Sequence, residues 1–185
     1  MNFERSSGIL LHPTSLPGKF GIGSLGKEAF DFVDFLVESG QKLWQVFPLG
    51  PTGYGDSPYQ CFSAFAGNPL LISLEKLCEE GLLNEQDLNT HESFDNRSVD
   101  FGKIINFKMP VLRKAYSNFS MNGTALEKIK FDTFCQNSNL WLEDYALFMA
   151  LKDHFGGKPW IEWDNDIKLR EEKALEYYTN HLAEK

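Results

Sequence analysis

Cysteine is scarce, with three residues in 185, at positions 61, 78 and 135. Their odd number and irregular spacing exclude a paired disulfide framework, and no Cys-x-x-Cys or Cys/His cluster offers zinc-ligand spacing. Free thiols in a reducing compartment are expected. Long apolar runs are also missing, since no stretch approaches the roughly 18 residues of a membrane span. The opening Met1-Asn2-Phe3-Glu4-Arg5 lacks the basic-then-apolar pattern of a signal peptide. Nor is there a basic patch: Lys and Arg never cluster beyond a pair, and 26 acidic against 18 basic residues leave a net charge of −8. That balance argues against nucleic acid and anionic membranes as partners. Internal repeats and low-complexity tracts are absent. A cytoplasmic protein handling uncharged ligands, sugars among them, fits these exclusions.

What is present is a folding chain. Hydrophobic residues make up 42% and aromatics 14%, including 16 Phe, enough to exclude disorder. Gly8-Ile9-Leu10-Leu11 predicts a buried strand of a parallel sheet. Lys27 to Ser39 predicts a helix with Phe30, Val33 and Val37 on its apolar stripe and Gly40 at its C-terminal end. Leu43 to Phe47 predicts a second strand, ended by Pro48. Together they make a βαβ unit, with a right-handed crossover expected. Short helices are expected at Leu74–Gly81 and from Glu85. Lys103 to Phe119 reads as a mixed segment broken at Pro110, with a helix on its far side. Thr124–Cys135 reads as a helix, and so does Trp141–Phe155, closed by Gly156-Gly157. A final helix is expected from about Asp166, with Ala174, Leu175, Tyr178 and Leu182 on one face and no cap before Lys185. One βαβ unit leaves sheet edges and faces uncovered, so the chain is expected to begin a larger α/β protein.

Three segments carry candidate chemistry. Gly21-Ile22-Gly23-Ser24-Leu25-Gly26 fits the G-x-G-x-x-G pattern of dinucleotide-binding turns. It starts about ten residues after the first strand, however, and the second strand ends at Val46-Phe47-Pro48 with no acidic residue for a ribose. A surface turn and helix entry is the better reading. His12 and Ser15 follow the first strand, at the end where α/β folds gather ligands. There His12 either donates to a ligand or is satisfied by neighbouring backbone. The third segment, Leu49 to Asn68, is far longer than the roughly 2–6 residues of an ordinary βα loop. It mixes Tyr54 and Tyr59 with Asp56, Ser57 and Gln60. Aromatic rings pack on the C–H faces of pyranoses while short polar groups take the hydroxyls, so this mixture suits sugars.

Leu49–Asn68 and the following Pro69, together with His12-Pro13-Thr14-Ser15-Leu16-Pro17-Gly18, Gly21-Ile22-Gly23, Trp44-Gln45-Val46 and Trp141–Phe148, resemble the amylomaltases in order and spacing. These are 4-α-glucanotransferases of glycoside hydrolase family 77. The resemblance covers nearly the whole chain. It implies the start of a (β/α)₈ barrel: residues 1–80 as its first βαβ unit with the substrate loop 49–68, and 81–185 as a mainly helical inserted subdomain. It implies transfer of α-1,4-glucan segments to glucose or another glucan by a retaining double displacement, without cofactor or metal. Ser57 and Tyr59, with Asp56 beside them, match donor-sugar positions. Tyr54 matches an aromatic of a second glucan groove, where Phe101 stands at a position expected to be Tyr in many relatives. The family's catalytic carboxylates would lie beyond Lys185. Within the chain Glu143-Asp144 read as a solvated helix start and Glu162/Asp164 as turn residues, so no catalytic residue is assigned and residues 1–185 alone are expected to be inactive. A non-catalytic sugar-binding module and a nucleotide-dependent oxidoreductase are the alternatives.

Overall fold

A computed structural model of the chain describes residues 4–95 and 97–183. Two compact units form, residues 1–124 and 125–185. The helical stretch after residue 81 up to Asn122 thus belongs with the βαβ unit. In the first unit β1 (Gly8–Leu10) pairs in parallel with β2 (Leu43–Gln45), Gly8 opposite Leu43 and Leu10 opposite Gln45. Helix α1 (Lys27–Glu38) connects them. It ends in two hydrogen bonds, Gly40 N–H to the Val37 carbonyl (3.0 Å) and Gln41 N–H to that of Leu36 (2.8 Å). Gly40 holds φ +69° there, a left-handed conformation that glycine adopts without penalty.

The expected burial of these elements does not hold. Both strands alternate exposed, half-buried, exposed. On α1 the expected stripe of Phe30, Val33 and Val37 faces outward, and Ala29 and Leu36 are the buried residues. The physical reason is that the apolar side chains of α1 (Phe30, Phe32, Val33, Phe35, Leu36, Val37) spread over an arc too broad for one neighbour to cover, opposite a polar strip of Lys27, Asp31, Asp34 and Glu38. Only part of that surface is covered within this chain. Phe32 meets the Trp44 ring edge-on at 5.0 Å, which fixes α1 over the sheet.

The core of the unit lies elsewhere. Helix α2 (Leu74–Glu79), the turn at Glu85–Leu88 and helix α3 (Phe101–Asn122) enclose Phe20, Leu74, Leu83, Leu88, Val111 and Ala115. Ser73 caps α2, and Asn84 with Asp87 makes a reciprocal capping box on the next turn. A neighbouring cluster joins Ile22, Leu70 and the fully buried Ile104. Each such apolar side chain contributes about 1.5–3 kcal/mol on burial.

Pro110 does not break the helix as expected: α3 runs unbroken through it for 22 residues. A proline in a helix interior removes one hydrogen bond and crowds the preceding turn, at a cost of about 3 kcal/mol. Burial of Ile104, Val111 and Ala115 along the same helix outweighs that cost. Since Pro110 is exposed, Pro110→Ala leaves no cavity and restores a donor. The greater flexibility of the unfolded chain gives back part of the gain, so a net stabilisation of ~1–2 kcal/mol is expected. A lower melting temperature for the Ala variant would show that the proline is accommodated without strain.

The second unit holds α4 (Ala125–Asn137), α5 (Leu142–His154), α6 (Asn165–Lys168) and α7 (Glu172–His181). Gly156 and Gly157, both at positive φ, end α5 as expected. The single final helix of the sequence reading is instead two helices. Arg170 turns into the left-handed region at φ +57°, and the Glu171 N–H closes the α6 end on the Asp166 carbonyl (2.9 Å). Ala174, Tyr178 and Leu182 are buried with Leu151, Trp163 and Ile167, the face expected for α7. No helix among the described residues is long and apolar enough to cross a membrane.

Candidate functional site

Because β1 and β2 run in parallel, the segments leaving their C-terminal ends lie on one side of the sheet, where open α/β structures place ligand sites. After β1 the chain passes Leu11, whose N–H donates to the Gln45 carbonyl (3.0 Å) and whose carbonyl accepts from the Trp44 indole N–H (2.7 Å). His12 then caps the turn Pro13–Ser15. Its Nδ1 accepts from the Thr14 N–H (3.3 Å) and lies 2.7 Å from Thr14 Oγ1. This leaves the proton on Nε2, which faces the Pro48 carbonyl at 3.4 Å. The contacts are those of the structural reading of His12. They also align its ring, which stacks on Phe47 (centroids 6.2 Å apart, 22° between planes).

Phe47 in turn holds Tyr59 at 5.6 Å. The three rings form a row from the end of β1, across the end of β2, to the long loop. Tyr59 is its outer member and 72% exposed. The loop that presents it is closed upon itself. The Asn68 N–H donates to the Leu49 carbonyl (2.8 Å), the Phe62 N–H to that of Pro51 (3.0 Å) and the Gly53 N–H to that of Gln60 (2.9 Å). Thr52 and Cys61 form an antiparallel bridge within it. Ser63 Oγ accepts from the Phe65 and Ala66 N–H groups. At the tip Gly55 and Asp56 both have positive φ, 77° and 54°. A non-glycine residue in that region costs on the order of 1–3 kcal/mol. The strain turns the chain so that Ser57 and Tyr59 follow in succession. Ser57 Oγ accepts from the Tyr59 N–H (3.3 Å), which leaves its own O–H to donate. Asp56 and Ser57 are half-buried.

The structure thus gathers His12, Ser57 and Tyr59, with Asp56 alongside, at one end of the sheet. The Tyr54 backbone begins the tip turn Tyr54–Asp56, but its side chain lies outside the described residues. Phe101 opens α3 half-buried against the cluster of Ile22, Leu70 and Ile104. Sequence reasoning overlooked two features of the site. Phe47, read only as a strand end, is the middle ring of the row. Asn68-Pro69 is an N-cap followed by a first-turn proline, a recognisable helix-start signal, and Asn68 closes the loop.

The glycine run serves a different end from nucleotide binding, and it is not the surface turn expected. Ile22, Gly23, Ser24 and Gly26 are buried. The Gly23 N–H donates to the Thr14 carbonyl (3.0 Å), and a Cβ on Gly23 would stand 2.0 Å from the Pro13 carbonyl oxygen. The run packs against the His12–Leu16 turn and supports it from below, while Gly26 provides the entry to α1. Elsewhere, Asp144 on the first turn of α5 pairs with Arg170 (2.7 Å), and Asp164 accepts from the Tyr178 hydroxyl (3.4 Å). The described residues contain no group of three or more metal-ligating side chains. Cys61, Cys78 and Cys135 are free thiols. Burial and nearby acidic groups push that of Cys78 up.

The family model described as 4-alpha-glucanotransferase matches residues 11–185. The 4-alpha-glucanotransferases of Synechocystis sp. and Thermus thermophilus are each 50% identical to the chain, over 97% and 100% of it, and over 35% and 36% of their own lengths. A solved amylomaltase from Streptococcus agalactiae, in complex with acarbose, superposes with a TM-score of 0.91 at 46% identity, covering 98% of this chain and 36% of that one. The chain therefore spans little more than a third of these relatives, and within that third the small sheet and its helices follow the amylomaltase fold.

Proposed function

The chain belongs to the 4-α-glucanotransferase family, and on that premise we propose that it forms the donor-sugar end of an enzyme that transfers α-1,4-glucan segments to glucose or another glucan. The observation that carries this reading is the ring row His12–Phe47–Tyr59 beside Ser57, on a loop tied shut at the C-terminal ends of both strands. Tyr59 offers a face to one pyranose, and Ser57 and Asp56 offer a donor and an acceptor to its hydroxyls. A surface of this kind binds neutral sugars without metal or cofactor. Maltooligosaccharides and amylose are the substrates it suits, in the cytoplasm.

In this reading β1, α1 and β2 are the first βαβ unit of a (β/α)₈ barrel, within residues 1–80, and the helices of 81–185 are inserted between barrel strands. The exposed faces of β1, β2 and α1 are what such a barrel would cover. The transfer step would be a retaining double displacement, for which two carboxyl groups stand about 5–5.5 Å apart. Those groups belong to the rest of the barrel. The part played by these 185 residues is to bind and orient the donor chain.

Tyr54 and Phe101 belong, in this reading, to a second groove that holds long glucans away from the bond being cut. Tyr54→Ala in the full-length gene product should then lower transfer from amylose several-fold, in line with a stacking loss of about 0.5–1.5 kcal/mol, and leave transfer from maltotriose near the parent rate. Equal loss on both substrates would move Tyr54 into the donor site itself.

A further inference from the structure

Lys108 is the most deeply buried charged residue among the described residues, 2% exposed. It projects from α3 on the same face as the buried Ile104 and Val111. Its Nζ donates to the Leu70 carbonyl at 2.6 Å. Around that carbonyl the backbone is otherwise accounted for: the Asn68, Pro69 and Leu71 carbonyls accept from the N–H groups of Leu71, Ile72 and Leu25. Asn68 Oδ1 accepts from the Leu70 N–H (2.9 Å). Asn68 itself closes the long loop through its bond to the Leu49 carbonyl. The ammonium therefore sits two residues along the chain from the residue that joins the loop's ends.

An ammonium in such a place is costly. Burial pushes the Lys108 pKa down to about 8, against a smaller opposing pull from Glu75 on α2. A methionine of similar length would fill the same space without desolvating a charge, and buried charges commonly stabilise less than apolar residues of equal size. What a cation adds is a strong, directed, charge-assisted hydrogen bond. We infer that Lys108 is a positioning residue for the donor-sugar loop, its ammonium clamping the Leu70 carbonyl so that the ends of Leu49–Asn68 meet in one arrangement. The inference rests on the proposed reading of that loop as the donor site. It extends the site to a helix that itself touches no sugar. The clamp sets where the loop begins and ends, and hence where Ser57 and Tyr59 stand.

The test is Lys108→Met in the full-length gene product, read in two ways. Hydrogen exchange without ligand should quicken at least about tenfold in the amides of Leu49–Leu70, while those of Val111–Asn118 on α3 keep their rates. Transfer from maltotriose should fall roughly 10- to 100-fold in kcat/KM, the scale on which a misplacement of about 1 Å acts. Unchanged exchange in the loop overturns the inference, and so does exchange that quickens equally along α3, since that marks a core residue and not a clamp. A loosened loop with transfer at the parent rate leaves the clamp standing and overturns the donor-site reading beneath it. Should the variant not fold, the parent protein decides. The Asn68 and Leu70 amides should exchange with the slow set of α3; exchange with the fast amides of the loop tip overturns the clamp.

Discussion

Tyr59→Ala in the full-length gene product is expected to lower kcat/KM for transfer from maltotriose about 10- to 400-fold. The estimate adds a stacking contribution of about 0.5–1.5 kcal/mol to about 1–2 kcal/mol for apolar area no longer buried against a sugar. Folding should hardly register the change. Tyr59 is 72% exposed, and what the folded state loses is its tilted contact with Phe47 at 5.6 Å. A fall in transfer with little change in melting temperature thus assigns the ring to the ligand. Tyr59→Phe separates the ring from its hydroxyl. If the face does the binding, Phe keeps most of the activity, losing the 0.5–1.5 kcal/mol of one hydrogen bond at most. If Phe were as impaired as Ala, the hydroxyl would be the contact and the ring row only its support. An Ala variant as active as the parent would remove Tyr59 from the donor site.

The parts of this site that were legible in the sequence are those governed by local chemistry. Gly40 after α1 and Gly156-Gly157 after α5 each mark an end that the structure keeps, whereas β2 stops at Gln45, ahead of the Pro48 expected to end it. The length and composition of Leu49–Asn68 single that loop out. What could not be read depends on packing. On α1 the apolar residues are too numerous to choose a face, so the stripe through Phe30 and Val37 looked as good as the one through Ala29 and Leu36 that the structure buries. At Pro110 the local rule predicted a break, and tertiary burial of the flanking turns overrode it. At Arg170 the reverse happened: helix-forming residues on both sides hid a left-handed turn that only the closure of α6 on Asp166 reveals. Lys108 is the hardest case. A lysine among Phe107, Met109 and Val111 offers no local sign that it points inward, because its acceptor, the Leu70 carbonyl, lies 38 residues away.

Residues 1–185 expressed by themselves are expected to transfer no glucan at all and to self-associate. Both expectations follow from the proposed barrel, through different physics. Retaining transfer needs a pair of carboxyl groups about 5–5.5 Å apart. Of the four acidic residues weighed for the role, two have other engagements here: Asp144 pairs with Arg170, and Asp164 accepts from Tyr178. Self-association follows from surface. Leu10 and Leu43 on the strands are 48% and 56% exposed, and on α1 Phe30, Val33, Phe35 and Val37 range from 43% to 70%. Contiguous apolar patches beyond a few hundred Å² are rare on proteins that stay monomeric. The two strands also present unpaired backbone along their outer edges, a template for pairing between copies. The cores around Leu74 and Ile104 and around Leu151 and Trp163 are complete enough to keep the helices. The expected species is therefore helical by circular dichroism, binds a hydrophobic dye, elutes well above 21.1 kDa, and leaves maltotriose unchanged. Joining the remaining two-thirds of a relative to its end should abolish dye binding and restore transfer together, because in the proposed barrel the added strands and helices would cover these surfaces and bring the carboxylates. A monodisperse 185-residue monomer that redistributed maltotriose would break both arguments at once, and would place the reacting carboxylates within the helices and loops described here.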